Sequence, residues 1–165
     1  HKTGGRKNMA KDKQLSGLDK MFELSKKFEN KQVQWLPKRI KNDGTSAMGL
    51  AYVNVRQVHD RLNTVMGTDW QTKHEVFGAK TICSLGLKLD GEWIWRSDGA
   101  GDTTYEADKG AISDSLKRAA VSFGIGRHLY DLPSVWIKCE TYNGKFKRWT
   151  EDPWDKVRQS NSDFS

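Results

Sequence analysis

The sequence predicts an α+β domain in which an antiparallel sheet packs on helices, and three observations predict it. Apolar residues recur at helical spacing after Asn54 and again through Ile112, Leu116, Ala119 and Phe123. Between them Cys83, Leu85, Leu87 and Leu89 alternate with Ser84, Gly86 and Lys88, the period of a half-buried strand. Asp90-Gly91 and Asn143-Gly144 are two-residue pairs that accept the positive φ angles of tight hairpin turns.

Taken in order, residues 1–8 read as a flexible start, and Met9 is a candidate native initiator. A helix is expected over 15–30, where Leu15, Leu18 and Phe22 share a stripe among lysines. Residues 31–48 predict an irregular segment, because Pro37, Asp43-Gly44 and few apolar residues interrupt any period. Residues 50–53 suit a short strand. Asn54 can cap a helix to Met66 that carries Val55, Val58, Leu62 and Val65 or Met66 at helical spacing, and Gly67 ends it. Strands over 70–77, 80–89 and 92–97 form a meander through the Asp90-Gly91 turn. In that register Leu87 faces Ile94 and Lys88 faces Trp93, so Trp93 and Trp95 share a face with Lys88. Such a face can stack bases, but packing against a helix or a neighbouring subunit is the preferred reading. Residues 98–102 form a glycine-rich link; no G-K-[ST] follows it, so it is no phosphate-cradling loop. The next helix begins at about Thr104 or Ala107 and ends at Phe123 before Gly124 and Gly126, with Ile112, Leu116 and Phe123 assigned to the core. A second hairpin spans 135–138 and 145–149, and the residues from Glu151 read as a frayed tail.

The chain of 165 residues suggests one domain: a body over 31–150, a basic tail and helix over 1–30, and a tail over 151–165. Mean hydropathy is −0.78, and no apolar run has the length of a membrane helix. No secretory signal is visible. Cys83 and Cys139 form no C-x-x-C pair, so free thiols in a reducing, intracellular compartment are expected. The four histidines show no metal-ligand spacing, and no metal or other cofactor is expected. Net charge is +7 but unevenly placed. Residues 1–42 hold 12 Lys/Arg and 4 Asp/Glu; the remainder hold 16 and 17. The N-terminal quarter is therefore either a polyanion-holding tail or a solvated helix. Any polyanion site in the body has to be a local groove.

The helix over 107–123 supplies a candidate. Lys117 lies roughly 100° from its apolar stripe and Arg118 about 160° away on the other side. Gly110, Ala111, Ser113, Ser115, Ala119, Ala120 and Ser122 keep side chains short and permit close approach of a sheet or a backbone.

The stretch Lys-Gly-Ala-Ile-Ser-Asp-Ser-Leu-Lys-Arg-Ala-Ala-Val-Ser-Phe-Gly, residues 109–124, resembles the signature helix of the Rad52 family of single-strand annealing proteins. Its continuation to Pro133, together with Ala51-Tyr52-Val53, Arg61-Leu62-Asn63, Asp69-Trp70 and Gly99-Ala100-Gly101, resembles the bacterial and phage, DdrA-like branch. The resemblance covers roughly residues 33–136. It implies a ring- or arc-forming homo-oligomer that binds single-stranded DNA in a basic outer groove and promotes annealing of complementary strands in recombination and double-strand break repair. That would make 31–150 the annealing domain. By motif match Lys117 and Arg118 lie on the groove floor. Arg56-Gln57 are the nearest match to a second contribution, with register uncertain by one, and Tyr52, Lys109 and Arg127 are further candidates. A basic residue one turn after the pair in some relatives is Val121 here. The setting implied is the cytoplasm or nucleoid of a bacterium or of a phage-infected cell, with a single-strand-binding protein as a possible partner.

Other readings compete. Arg127 either reaches a phosphate or pairs with Asp131. Lys145, Lys147 and Arg148 are either an outer DNA site or, preferably, a solvated strand edge that resists aggregation. Asp98, Asp102, Glu106 and Asp108 are the acids a Mg²⁺-dependent nuclease would need, against the reading of an acidic loop and no enzyme. A ring that shields DNA ends without annealing is the remaining alternative.

Overall fold

The computed structural model describes residues 14–101 and 107–162, and among these the side chains of 107–109 and 162 are left aside. The expectations for residues 1–8, for Met9 and for Asp102 and Glu106 therefore lie outside the described residues, as do those for the side chains of Asp108 and Lys109. The elements are α1 (Gly17–Leu24), β1 (Val33–Ile40), β2 (Ser46–Val53), α2 (Val55–Met66), β3 (Trp70–Phe77), β4 (Lys80–Leu89), β5 (Glu92–Ala100), α3 (Ala107–Val121), β6 (Trp136–Tyr142), β7 (Lys145–Trp149) and α4 (Pro153–Ser162). Short 3₁₀ turns occupy Asn30–Gln32 and Arg127–Asp131. This is an α+β fold with two antiparallel sheets, β1-β2-β6-β7 and β3-β4-β5.

The meander forms in the expected register. Asp90 and Gly91 take φ of 51° and 84°, and Leu87 pairs with Ile94 and Lys88 with Trp93. β5 runs on to Ala100 rather than stopping at residue 97, since β4 begins at Lys80 and pairs Cys83 with Asp98 and Thr81 with Ala100. Asp98 and Gly99 thus belong to a strand, not to a link.

The irregular segment expected over 31–48 is instead a strand and most of a hairpin. Val33, Trp35 and Pro37 face inward opposite Val53, Ala51 and Gly49. A bulge between Pro37 and Arg39 then shifts the register, so that Ile40 rather than Arg39 continues the inward face. Pro37 is tolerated because β1 is an edge strand. The turn is fixed by Asp43, whose carboxylate accepts hydrogen bonds from the Thr45 amide (3.0 Å) and hydroxyl (2.7 Å).

The main core joins both sheets to the helices. Leu24, Phe28, Val53, Val58, Leu62, Met66, Leu85, Leu87, Leu116, Phe123 and Ile125 are buried together. Asn54 caps α2 by accepting from the Arg56 amide at 3.0 Å, and Gly67 ends it at φ 59°. α3 packs on β4 and β5 through Ser115, Leu116, Ala119, Ala120 and Phe123. Its buried stretch begins only at Ser115, so Ile112 is 52% exposed and not a core residue. α1 is shorter than the helix expected over 15–30. Leu24 faces the core, while Leu18 and Phe22 point outward. The residues after Glu151 are not frayed: α4 buries Val157 against Val135 and Ile137, and Trp154 meets Trp35 edge-on at 5.3 Å.

Candidate nucleic-acid interface

Strand alternation decides what the four-stranded sheet shows to solvent. Ala47, Gly49, Ala51 and Val53 point inward, so Ser46, Met48, Leu50 and Tyr52 point outward. Their cross-strand partners share that face: Gln34 beside Tyr52, Leu36 beside Leu50, and Arg39 and Trp136 on either side of Met48. Leu36 and Leu50 are each about half exposed. Tyr52 and Met48 stand about 13 Å apart along β2, by strand rise.

Cations sit at both ends of this strip. At one end α3 brings Lys117 over the Tyr52 ring, Nζ to centroid 5.4 Å. At the other, Arg39 and Lys41 approach the Trp136 ring at 5.8 and 5.0 Å. Among the described residues none of Lys117, Arg39 and Lys41 has a carboxylate partner within 4.0 Å. Arg39, Lys41 and Trp136 were missed in the sequence because the β1–β2 hairpin that groups them was read as irregular. The Trp and the Lys-Arg run were visible; their adjacency required the register.

The two cations of the signature helix part company. Lys117 joins the Tyr52 strip. Arg118 is held by Asp114 one turn back, Nε to Oδ2 3.1 Å, and that hydrogen bond raises its pKa further above the ordinary arginine value. Asp98 and Tyr130 add to its field. Half-exposed, this pair contributes little to stability. It does place a competing carboxylate on Arg118 that Lys117 lacks.

Arg56 and Gln57 open α2 just beyond Tyr52. Arg56 is exposed with only its amide engaged by Asn54. Gln57 buries its side-chain oxygen without a partner among the described residues. Arg127 makes no ion pair with Asp131. The two bound a 3₁₀ turn with three residues per turn, so positions four apart do not align. On the second hairpin Lys147 (3.2 Å) and Arg148 (2.8 Å) both bind Glu140, whose pKa is lowered chiefly by the Lys147 hydrogen bond. Two of the three cations there thus share one carboxylate. The described residues contain no group of three or more His, Cys, Asp or Glu placed to hold a metal ion. Asp98 spends one carboxylate oxygen on the Gly99 amide, at 2.7 Å. No described helix is long and apolar enough to cross a membrane.

Fold and site together define an α+β domain with a basic helix docked on an antiparallel meander beside a second, open sheet. Residues 84–147, from β4 through α3 to the second hairpin, match the Rad52/22 family of double-strand break repair proteins. Over 124 residues it is 38% identical to the single-stranded DNA-binding protein DdrA of Deinococcus radiodurans, covering 74% of this chain and 59% of that one. Over 125 residues it is 36% identical to the protein of the same name from Deinococcus deserti, covering 74% of this chain and 61% of that one. The chain thus spans about three fifths of the length of these relatives. No solved structure was found to match it.

Proposed function

We propose that this chain binds single-stranded DNA across the outward face of the four-stranded sheet and promotes annealing of complementary strands in recombination and double-strand break repair. The observation that carries the reading is the strip itself: cations without carboxylate partners among the described residues, set among exposed rings and aliphatics on a sheet face that no described helix covers. Lys117, Arg39 and Lys41 hold phosphates with little sequence preference. Arg118, Arg56, Gln57 and Arg127 are further contacts in this reading, and Lys109 is carried over from the motif match alone. Annealing breaks no covalent bond, so no catalytic residue, nucleotide or metal enters the scheme. A strand fixed by its backbone leaves its base edges free to meet a complement. Assembly of copies into a ring or arc would repeat a modest site along one strand and sum its affinity. A single-strand-binding protein that delivers the DNA is a further partner in this scheme, placed inside a bacterium or a phage-infected cell.

The names of the relatives support single-stranded DNA binding and do not mention annealing, which keeps a second reading in play: a ring that shields DNA ends. The test is the rate at which complementary oligonucleotides pair, with wild type and with Lys117→Ala/Arg118→Ala. Annealing predicts acceleration by wild type and its loss in the double variant at unchanged fold and assembly. Tight binding without acceleration would select end protection.

A further inference from the structure

The outward face of the three-stranded sheet has no part in that scheme. On β4 the even positions point outward, since Thr81, Cys83, Leu85, Leu87 and Leu89 are the buried ones. Their cross-strand partners on that face include Lys73 on β3 and Trp93 and Trp95 on β5. α3 packs on the opposite face, so among the described residues no helix covers these tryptophans. Instead the two rings stack on each other, centroids 6.2 Å apart and planes 28° from parallel. Trp93 is 41% exposed.

The seating of Trp95 explains why a glycine stands opposite it. A Cβ at Gly86 would come within 2.8 Å of the Trp95 ring, so only glycine lets the indole lie flat on the strand. Lys73 approaches that ring at 4.5 Å, and Lys88 stands directly across from Trp93. The ionisable side chains of this face are Lys73, Lys80 and Lys88 against Glu75, a positive balance. Flat, partly exposed indoles flanked by ammonium groups match the chemistry of unpaired bases joined by phosphates.

We propose that this face is a second site for single-stranded nucleic acid, one that grips bases by stacking on Trp93 and Trp95 while Lys73 and Lys88 meet the backbone. It lies on a different sheet from the Tyr52 strip and does not depend on it. A strand held there by its bases is unavailable for pairing, whereas a strand on the first site is held by its phosphates. The two sites would therefore treat one strand differently.

The test measures binding of a labelled oligothymidylate, and of an abasic strand of the same length, to the full chain. The proteins are wild type, Trp93→Leu, Trp93→Phe and Lys117→Ala, with assembly followed by light scattering. Trp93→Leu alters a surface side chain that is 41% exposed, and circular dichroism of each variant checks that its fold is kept. Trp93→Leu should weaken thymidylate binding at least about fivefold, leave the abasic strand unaffected, and be restored by Trp93→Phe. Lys117→Ala should weaken both strands. Equal thymidylate affinity in Trp93→Leu, or an equal loss on the abasic strand, would overturn the proposal. So would a change in assembly alone, which would make the face a contact between copies. If Lys117→Ala binds as wild type while Trp93→Leu does not, the first site fails and this one stands.

Discussion

At the scale of single residues, adjacent cations in the sequence acquire different electrostatic surroundings. Lys117 lies over a ring with no carboxylate within 4.0 Å among the described residues, while Arg118 shares its guanidinium with Asp114 when it meets a phosphate. Lys117→Ala should therefore weaken oligonucleotide binding more than Arg118→Ala, and Asp114→Asn should strengthen it slightly; fluorescence anisotropy of the three variants checks the order. Equal losses from the two alanine variants would show that Asp114 offers no competition. A second residue-scale consequence concerns His128. Both its ring nitrogens are buried without partners among the described residues, and Phe28 lies 6.0 Å away. Burial, then Lys27 and Arg61, lower its pKa below the ordinary 6.5, with Asp131 opposing. The unfolded chain then takes up the proton first as the pH falls. Stability should be full above 6.5 and decline as the pH drops from there through the lowered folded value. Thermal melts of His128→Phe should show a smaller loss between neutral and mildly acidic pH than wild type.

At the scale of elements, α1 is fastened by one side chain. Arg61 of α2 donates to the carbonyls of Leu24 (2.8 Å) and Lys26 (2.7 Å), the unpaired groups at the α1 C-terminus, and lies over Phe28 at 4.3 Å. Arg61→Ala should cost about 2 kcal/mol in urea unfolding and leave DNA affinity of the folded chain unchanged. Elements were legible wherever local chemistry and tertiary role agreed. The Asn54 cap, the Asp90-Gly91 turn and the alternation of β4 each encode their own geometry within a few residues. β1 was not legible, because Pro37 and the following bulge break its alternation. What makes it a strand is pairing with β2, information that lies 7 to 20 residues away in the chain. The same reason hid α4. Its Val157 and Trp154 find their partners on β6 and β1, which no short window contains.

For the whole molecule, the charge count and the site point to different places. The basic excess lies in residues 1–42, yet Arg39 and Lys41 from that stretch fold against Trp136 and so carry part of it onto the sheet. The sequence motifs alone placed Lys117, Arg118 and Tyr52 near one another by resemblance. The register of β1, β2 and β6 extends that cluster along a strip that runs to Trp136. On the other sheet α3 packs on the face opposite the tryptophans, so among the described residues no helix covers them. Among the described residues the result is two sheet faces that no helix covers, one with aliphatics and cations that have no carboxylate within 4.0 Å, the other with stacked indoles beside lysines.

The central claim is that phosphates run along the four-stranded sheet. The measurement that reaches it most directly is the salt dependence of oligothymidylate binding by wild type and by Arg39→Ala/Lys41→Ala/Lys117→Ala. The account predicts weaker binding in the triple variant and a log–log slope shallower by about 2 units, at roughly 0.7 for each phosphate contact removed. An unchanged affinity and slope in a folded triple variant would place the DNA elsewhere on the molecule.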